Sequence, residues 1–127
     1  MTKKAIDTAG KVASAPYSTA MLLGSTLYVS GQIPLDPATG KLVAGDVKAQ
    51  TEQVFANLKS VLTEAGLGLQ HTLKATVFLA SMDDFAAMNE VYAKHMPAPF
   101  PARSTIGVAA LPLGAKVEIE VIADKNA

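Results

Sequence analysis

A short segment near the C-terminus limits the possible folds more than any other part of the chain. Residues 116–121 alternate strictly between charged and β-branched apolar side chains. In an extended chain this alternation places the Val and Ile side chains on one face, and Lys116, Glu118 and Glu120 on the other. Such a strand is half buried and needs neighbouring strands, so the chain must contain a sheet with one covered face.

Two segments have the periodicity of amphipathic helices and supply such a cover. Apolar residues recur at helical spacing over 47–65, with Asp46 as the N-cap and Gly66 as the stop signal. A second helix is predicted over about 82–95, because its apolar residues form one stripe and three prolines follow it closely.

Short segments rich in β-branched and apolar residues predict the strands, at 19–24, 26–30, 72–80, 102–110 and 115–123. We expect the first two to form a hairpin, and the last two to lie next to each other. The order β-β-β-α-β-α-β-β indicates one α+β domain over 1–127, with a mixed sheet and two helices packed on one face. The other sheet face would stay partly apolar, so we expect the same face of neighbouring subunits to cover it.

The composition excludes several classes of function. The chain of 127 residues carries eleven basic and eleven acidic residues without a basic run, so we expect no nucleic-acid partner. No stretch of about 18 uncharged apolar residues is present. The first residues also lack the apolar run of a targeting signal, so we expect no membrane association and a cytoplasmic location.

Cysteine is absent from the sequence, which excludes disulfides, thiol nucleophiles and cysteine-based zinc sites. The two histidines, His71 and His95, do not have metal-ligand spacing, so we expect no metal. A complete dinucleotide fingerprint, a Walker loop and a serine-hydrolase elbow are also missing, so we expect no cofactor.

Arg103 is the polar residue with the most unusual surroundings. It follows the proline-rich segment 97–101 and begins a largely apolar strand, so we expect its guanidinium to project from the sheet end into a cleft or interface. A guanidinium binds a planar carboxylate through two parallel hydrogen bonds and stays charged at every relevant pH, which suits a small organic acid. The alternative is an internal ion pair with Glu118 or Glu120 on the neighbouring strand.

The other candidates are carboxyl and hydroxyl groups on or near strands. Glu118 or Glu120 would orient a water molecule or carry a proton if partly buried, or would belong to a solvated strand face. Tyr17 and Ser30 offer hydroxyl groups near strand ends, and each is alternatively a turn or packing residue.

Several segments together strongly resemble the RidA (YjgF/translation-inhibitor endoribonuclease-like) family of enamine and imine deaminases. They are Ala-Pro-Tyr-Ser at 15–18, Tyr-Val-Ser-Gly-Gln-Ile-Pro at 28–34, Pro-Ala-Arg-Ser at 101–104 and Val-Glu-Ile-Glu at 117–120. The resemblance extends over essentially the whole chain, and the C-terminal signature is its most specific part.

The resemblance implies a chorismate-mutase-like α+β fold that assembles as a homotrimer, with sheets facing inward and active sites in clefts between subunits. It also implies an enzyme, a 2-iminobutanoate/2-iminopropanoate deaminase. Such a hydrolase converts reactive 2-imino acids, released as enamines by pyridoxal-phosphate enzymes such as threonine dehydratase, to 2-oxo acids and ammonia without a cofactor. Its role would be to remove these reactive metabolites.

The same resemblance assigns roles to individual residues. Arg103 would hold the substrate carboxylate and Glu118 would position the attacking water, which makes these two the catalytic residues. The substrate-binding set implied by the resemblance is Arg103, Tyr17, Ser30, Gly31, Asn89 and Thr105. An iminium carbon is already electrophilic, so orientation of the acid and of one water would supply most of the acceleration.

Two positions differ from the commonest pattern of the family. Thr19 stands where Gln often follows the Pro-Tyr-Ser segment, and we expect this change to alter a surface contact. Thr105 stands where many deaminases carry Cys. Because it lies two residues after Arg103, it should point to the same side of the strand and form a pocket wall that affects substrate size or amine contacts.

A second class of function stays open at this point. The same cleft would serve a non-enzymatic regulatory trimer that binds a small carboxylate metabolite. Ribonuclease activity is attached by name to some relatives, but the balanced charge and the missing basic groove do not favour it.

Overall fold

The protein was studied as a computed structural model, which describes residues 1–8, 11 and 14–127. In chain order the strands are β1 (Lys4–Ile6), β2 (Ala20–Leu23), β3 (Thr26–Gln32), β4 (Leu35–Asp36), β5 (Lys41–Leu42), β6 (Thr72–Leu79), β7 (Ala102–Gly107) and β8 (Val117–Asp124). The α-helices are α1 (Val47–Glu64) and α2 (Phe85–His95), and short 3-10 helices span Leu69–His71, Met82–Asp84 and Pro112–Gly114.

Six of the strands form one mixed sheet in the order β1-β2-β3-β8-β6-β7, and β4 and β5 form a separate two-stranded ribbon. Neighbouring strands of the large sheet are antiparallel except β6 and β7, which are parallel. The α+β class and the mixed sheet with two helices are therefore confirmed. Among the described residues no helix has the length and apolarity needed to cross a membrane.

Helix α1 begins and ends where the sequence predicts. The Asp46 carboxylate accepts a hydrogen bond from the Ala49 backbone N–H at 2.9 Å, which satisfies one of the free donors of the first turn. Gly66 follows the helix with a φ of +76°, a backbone conformation that side chains disfavour. The buried face of α1 includes Phe55 and Leu58, both with no exposed surface.

Strand β8 has the half-buried character that its alternation predicts. Val117, Ile119 and Val121 are at most 2% exposed and belong to the core between the sheet and the helices. Strands β6 and β3 contribute Val77 and Leu27 to the same core. One face of the sheet is thus covered within the chain.

The opposite face of the sheet remains open and partly apolar. Tyr28 and Ile106 are about half exposed on it, at 51% and 45%. Ile122, which pairs with Tyr28, and Phe78, which pairs with Ile106, extend the apolar area over adjacent strands. Lys74, Glu118 and Glu120 lie on the same face between these apolar pairs. An exposed surface with this much apolar area is a candidate interaction site.

The prediction that the last two strands are neighbours is wrong. Strand β6 lies between β7 and β8 and pairs with both, in parallel with β7 and antiparallel with β8. The connection 108–116 is long enough to cross the end of β6. It is held there by hydrogen bonds from Val108 N–H to Leu79 C=O (2.9 Å) and from Ala80 N–H to Lys116 C=O (3.1 Å).

Candidate functional site

Arg103 lies on the edge strand β7, on the face of the sheet that the helices cover. Its register partner is the fully buried Ala75 of β6, and helix α2 packs against its side chain. The guanidinium donates a hydrogen bond to Asn89 Oδ1 at 2.7 Å, and its central carbon lies 4.5 Å from the ring centre of Tyr92 and 5.8 Å from that of Phe85. These contacts orient the guanidinium by one neutral amide and two aromatic rings.

The ion-pair alternative for Arg103 is wrong. The salt bridges within the described residues join Lys48 to Glu90, and Lys94 and His95 to Glu52. The acidic residues of β8 lie beyond β6 and on the other face of the sheet, so they do not reach the guanidinium. Arg103 therefore has no carboxylate partner within the part of the chain that the structure describes.

Thr105 lies on the same side of β7 as Arg103, in register with the buried Val77. Its hydroxyl oxygen is buried and has no hydrogen-bond partner among the described residues. The side chain therefore packs toward the helices rather than projecting into open solvent.

Glu118 occupies the opposite, open face of the sheet. It is half buried, and no described side chain forms an ion pair or a hydrogen bond with its carboxylate. Burial raises the pKa of Glu118, and the nearby charge of Glu120 raises it further. A carboxyl group with a raised pKa is a stronger base than an ordinary glutamate, which suits proton transfer near neutral pH.

A β-bulge in β3 places Ser30 and Gly31 opposite Glu120 of β8, and Gly31 also lies against the Glu118 carboxylate. Val29 pairs with Val121 and Gln32 with Ile119, so two residues of β3 lie opposite one residue of β8. A Cβ atom on Gly31 would overlap the Glu118 carboxylate. The absence of a side chain at position 31 is thus what allows the carboxylate to take its position.

Glu118 faces an open cavity of about 590 Å³ between the sheet end, the N-terminal segment and helix α1. Tyr17, Ser30 and Gly31 also line it. The Ser30 hydroxyl donates to Ser18 C=O at 2.7 Å, and Tyr17 is 52% exposed. The residues that line the cavity are Thr8, Lys11, Tyr17, Thr19, Ser30, Gly31, Gln32, Ile33, Leu35, Pro37, Gln53, Ala56, Asn57, Ser60, Pro112 and Glu118.

The structure divides the predicted site residues into two groups. The glutamate pocket contains Tyr17, Ser30, Gly31 and Glu118. The arginine cluster contains Phe85, Asn89, Tyr92, Arg103 and Thr105. The cavity is not lined by any member of the arginine cluster, and Arg103 and Glu118 lie on opposite faces of the sheet. One chain does not bring the two groups together.

Two residues of the arginine cluster, Phe85 and Tyr92, lie in the apolar stripe of the second helix and were not predicted as site residues. Tyr92 belongs to the hydrophobic core, whereas Phe85 is 37% exposed, and both rings contact the guanidinium. Their spacing from Asn89, four and three positions along the helix, places all three side chains on one helix face. That spacing was the available signal in the sequence.

The expectation for Thr19 is wrong, because Thr19 is buried at 4% exposure. Its backbone N–H donates to Asp7 Oδ1 at 2.8 Å, and its carbonyl accepts from Ser30 N–H at 2.9 Å. Thr19 therefore links the N-terminal segment to β3 from inside the fold. Within the described ranges no three His, Asp or Glu side chains come together as a metal site.

Comparison with known proteins identifies relatives that match nearly the whole chain. The family model of Endoribonuclease L-PSP matches residues 8–125. Protein DfrA of Myxococcus xanthus is 50% identical over 127 residues, which cover 97% of this chain and 96% of that protein. The 2-iminobutanoate/2-iminopropanoate deaminase of Capra hircus is 44% identical over 124 residues, which cover 97% of this chain and 90% of that protein.

A solved structure agrees with the fold. The crystal structure of E. coli TdcF with bound serine matches with a TM-score of 0.87 at 40% identity, over 96% of this chain and 98% of that one. Sequence and structure therefore agree over nearly the whole chain, and the chain belongs to the Endoribonuclease L-PSP family, the RidA/YjgF family that its motifs resemble.

Proposed function

We propose that this protein is a hydrolytic deaminase of 2-imino acids, with 2-iminobutanoate and 2-iminopropanoate as substrates. In the reaction one water adds to the carbon of an imine that is protonated on its nitrogen. The carbon–nitrogen bond then breaks, and a 2-oxo acid and one ammonium ion leave. The 44% identity to a deaminase of that name, over almost the full length of both chains, supports the substrate class. The reaction is neither oxidative nor reductive, so the proposal includes no cofactor.

The observation that carries this proposal is the set of contacts that the Arg103 guanidinium makes. Its guanidinium is held by Asn89 and by aromatic rings, and has no carboxylate partner among the described residues. A charged group that is oriented by the protein but not neutralised is suited to bind an external anion. The carboxylate of a 2-imino acid, next to the reacting carbon, is the anion that we assign to it.

Glu118 is assigned to the water. Its carboxylate would accept a proton as the water adds to the imine carbon, and would return a proton to the departing nitrogen. Burial raises the pKa of Glu118 and supports this role. Tyr17, Ser30 and the backbone at Gly31 form the adjacent wall of the glutamate pocket, where the substrate and the water would be oriented.

The complete site would lie between two subunits of a homotrimer. Arg103 and Glu118 are on opposite faces of the sheet in one chain, so one substrate contacts both only if two chains supply them. A head-to-tail interface that closes after three copies would form three such sites and would cover the open apolar face. The serine bound to TdcF, which carries a carboxylate next to a carbon with nitrogen, supports a site of this chemistry in the family.

The imines would come from pyridoxal-phosphate enzymes in the cytoplasm, which release them as unstable enamines. We include no nucleic-acid substrate in the proposal, because the formal net charge of the chain is zero.

The test is a coupled assay with a threonine dehydratase and threonine. The protein should accelerate formation of 2-oxobutanoate from the released imine in proportion to its concentration, above the spontaneous rate. Arg103→Ala should remove the acceleration while the circular dichroism spectrum and the oligomeric mass stay unchanged. Wild-type protein without acceleration at any concentration would contradict the proposal. In that case, thermal stabilisation by 2-oxobutanoate would indicate a binding protein instead.

A further inference from the structure

The Tyr92 hydroxyl destabilises the fold, and the packing of the Tyr92 ring does not require it. The residue is 5% exposed, and its hydroxyl oxygen is buried with no hydrogen-bond partner within the described residues. A buried hydroxyl that loses its water and gains no partner destabilises a protein, whereas phenylalanine would provide the same ring without this penalty. The hydroxyl therefore needs an explanation other than packing.

The position of the hydroxyl supplies that explanation. The Arg103 guanidinium lies over the Tyr92 ring, with its central carbon 4.5 Å from the ring centre. Burial raises the pKa of Tyr92, and the charge of Arg103 acts in the opposite direction. The Tyr92 hydroxyl oxygen is thus near the guanidinium, although it accepts no hydrogen bond from it in this structure.

The Tyr92 ring itself is fixed from the other side. Phe55, which is fully buried, meets it edge to face with ring centres 5.7 Å apart. Phe55 is in turn stacked on His95, with ring centres 5.0 Å apart and an angle of 15° between the planes. These contacts hold the ring in the core, so we assign the adjustment between the two groups to the Arg103 side chain.

We propose that Tyr92 is a positioning residue for Arg103, whose hydroxyl accepts a guanidinium N–H when a substrate carboxylate is bound. Asn89 and Tyr92 then hold one N–H each from the protein side. A guanidinium has five N–H donors, so a parallel pair remains for the carboxylate, with its direction fixed. This inference rests on the proposed function, because it assigns the carboxylate to Arg103.

The test compares Tyr92→Phe with the wild type and with Thr72→Val. Tyr92→Phe should raise KM and the Kd of 2-oxobutanoate by about tenfold, the worth of one hydrogen bond to a charged group. The change in kcat should stay within about twofold, since the lost contact acts on both the bound substrate and the transition state. The melting temperature should rise, because an unpaired buried hydroxyl is removed.

Thr72→Val is the matched control. The Thr72 hydroxyl is also buried without a partner among the described residues, but Thr72 pairs with Ala123 of β8. Its removal should raise the melting temperature and leave KM unchanged. A purely structural Tyr92 hydroxyl predicts the same pattern for Tyr92→Phe, and that result would overturn the inference.

A double-mutant cycle provides a second measurement. Lysine retains the charge of Arg103 but not its planar set of donors, so Tyr92→Phe should weaken 2-oxobutanoate binding far less in an Arg103→Lys background. Equal effects in both backgrounds would contradict the inference. Activity that survives Arg103→Ala would contradict the proposed function itself, so the two failures are distinguishable.

Discussion

Arg103 and Glu118 are each ionisable side chains in partly buried positions, and neither has an opposite charge among the described residues. Arg103 is supported by an amide and by aromatic rings, which orient it without neutralising it. Glu118 lacks such support, and the charge of its neighbour Glu120 has the same sign and raises its pKa. Both residues remain reactive toward an external ligand for this reason.

Glu118→Gln should abolish deamination and leave the fold intact, as measured by the coupled assay and by circular dichroism. In the wild type, log(kcat/KM) should fall on acidification with a midpoint above 4.5, the ordinary pKa of this group, because Glu118 must be ionised to accept a proton. Glu120→Gln is the control. It should keep activity and shift the midpoint downward, since one cause of the raised pKa is removed.

Glu118→Gln should also change the free energy of unfolding, by an amount that depends on pH. Between the ordinary and the raised pKa, the folded state binds more protons at Glu118 than the unfolded state does. The free energy of unfolding therefore falls as pH rises through this window. Glu118→Gln should consequently melt at a higher temperature than the wild type at neutral pH, and at a similar temperature at a pH below the window. A lower melting temperature at neutral pH would contradict the burial argument.

At the scale of elements, the β-bulge in β3 controls where the Glu118 carboxylate lies. Gly31→Ala should lower kcat by at least about tenfold, because the new Cβ overlaps the carboxylate and displaces it from the water that it must orient. The loss of stability should be small, since the overlap is with the end of a flexible side chain. A wild-type kcat in this variant would show that the close approach has no role in the reaction.

The sequence predicts the elements well where the signal is local. The alternation over residues 116–121 predicts which side chains lie on each face of the strand, and Asp46 and Gly66 mark the ends of α1. The pairing of β7 was predicted incorrectly because a strand pattern specifies which side chains share a face and not which strand lies alongside. Closeness in sequence suggested β8, whereas the connection 108–116 crosses the end of β6 and leaves β7 at the edge.

The candidate site has the same limit. Resemblance named Arg103, Glu118 and the residues around them, but nothing local separates those on one sheet face from those on the other. Likewise, Phe85 and Tyr92 have the spacing of core residues, and their contact with Arg103 depends on how α2 packs on β7.

At the scale of the whole molecule, complementation tests whether the site is shared. Arg103→Ala and Glu118→Gln should each be inactive alone. After the two variants are mixed in equal amounts and allowed to exchange subunits, about a quarter of the wild-type activity should return, because about three quarters of the trimers are mixed and each mixed trimer has both intact side chains at one of its three interfaces. The control is each variant carried through the same exchange by itself. A mixture that stays inactive, with exchange verified by mass spectrometry, would contradict a site between subunits.

Arg103 and Glu118 lie on two different faces of the sheet, so in the proposed function catalysis would depend on assembly of the subunits. In the proposed trimer a single chain has no complete site, so a newly synthesised chain would be inactive until it assembles with two other subunits. The reaction order in protein would then change with dilution. Well below the assembly constant the rate would rise with a power of the protein concentration greater than one, and above it the rate would become linear.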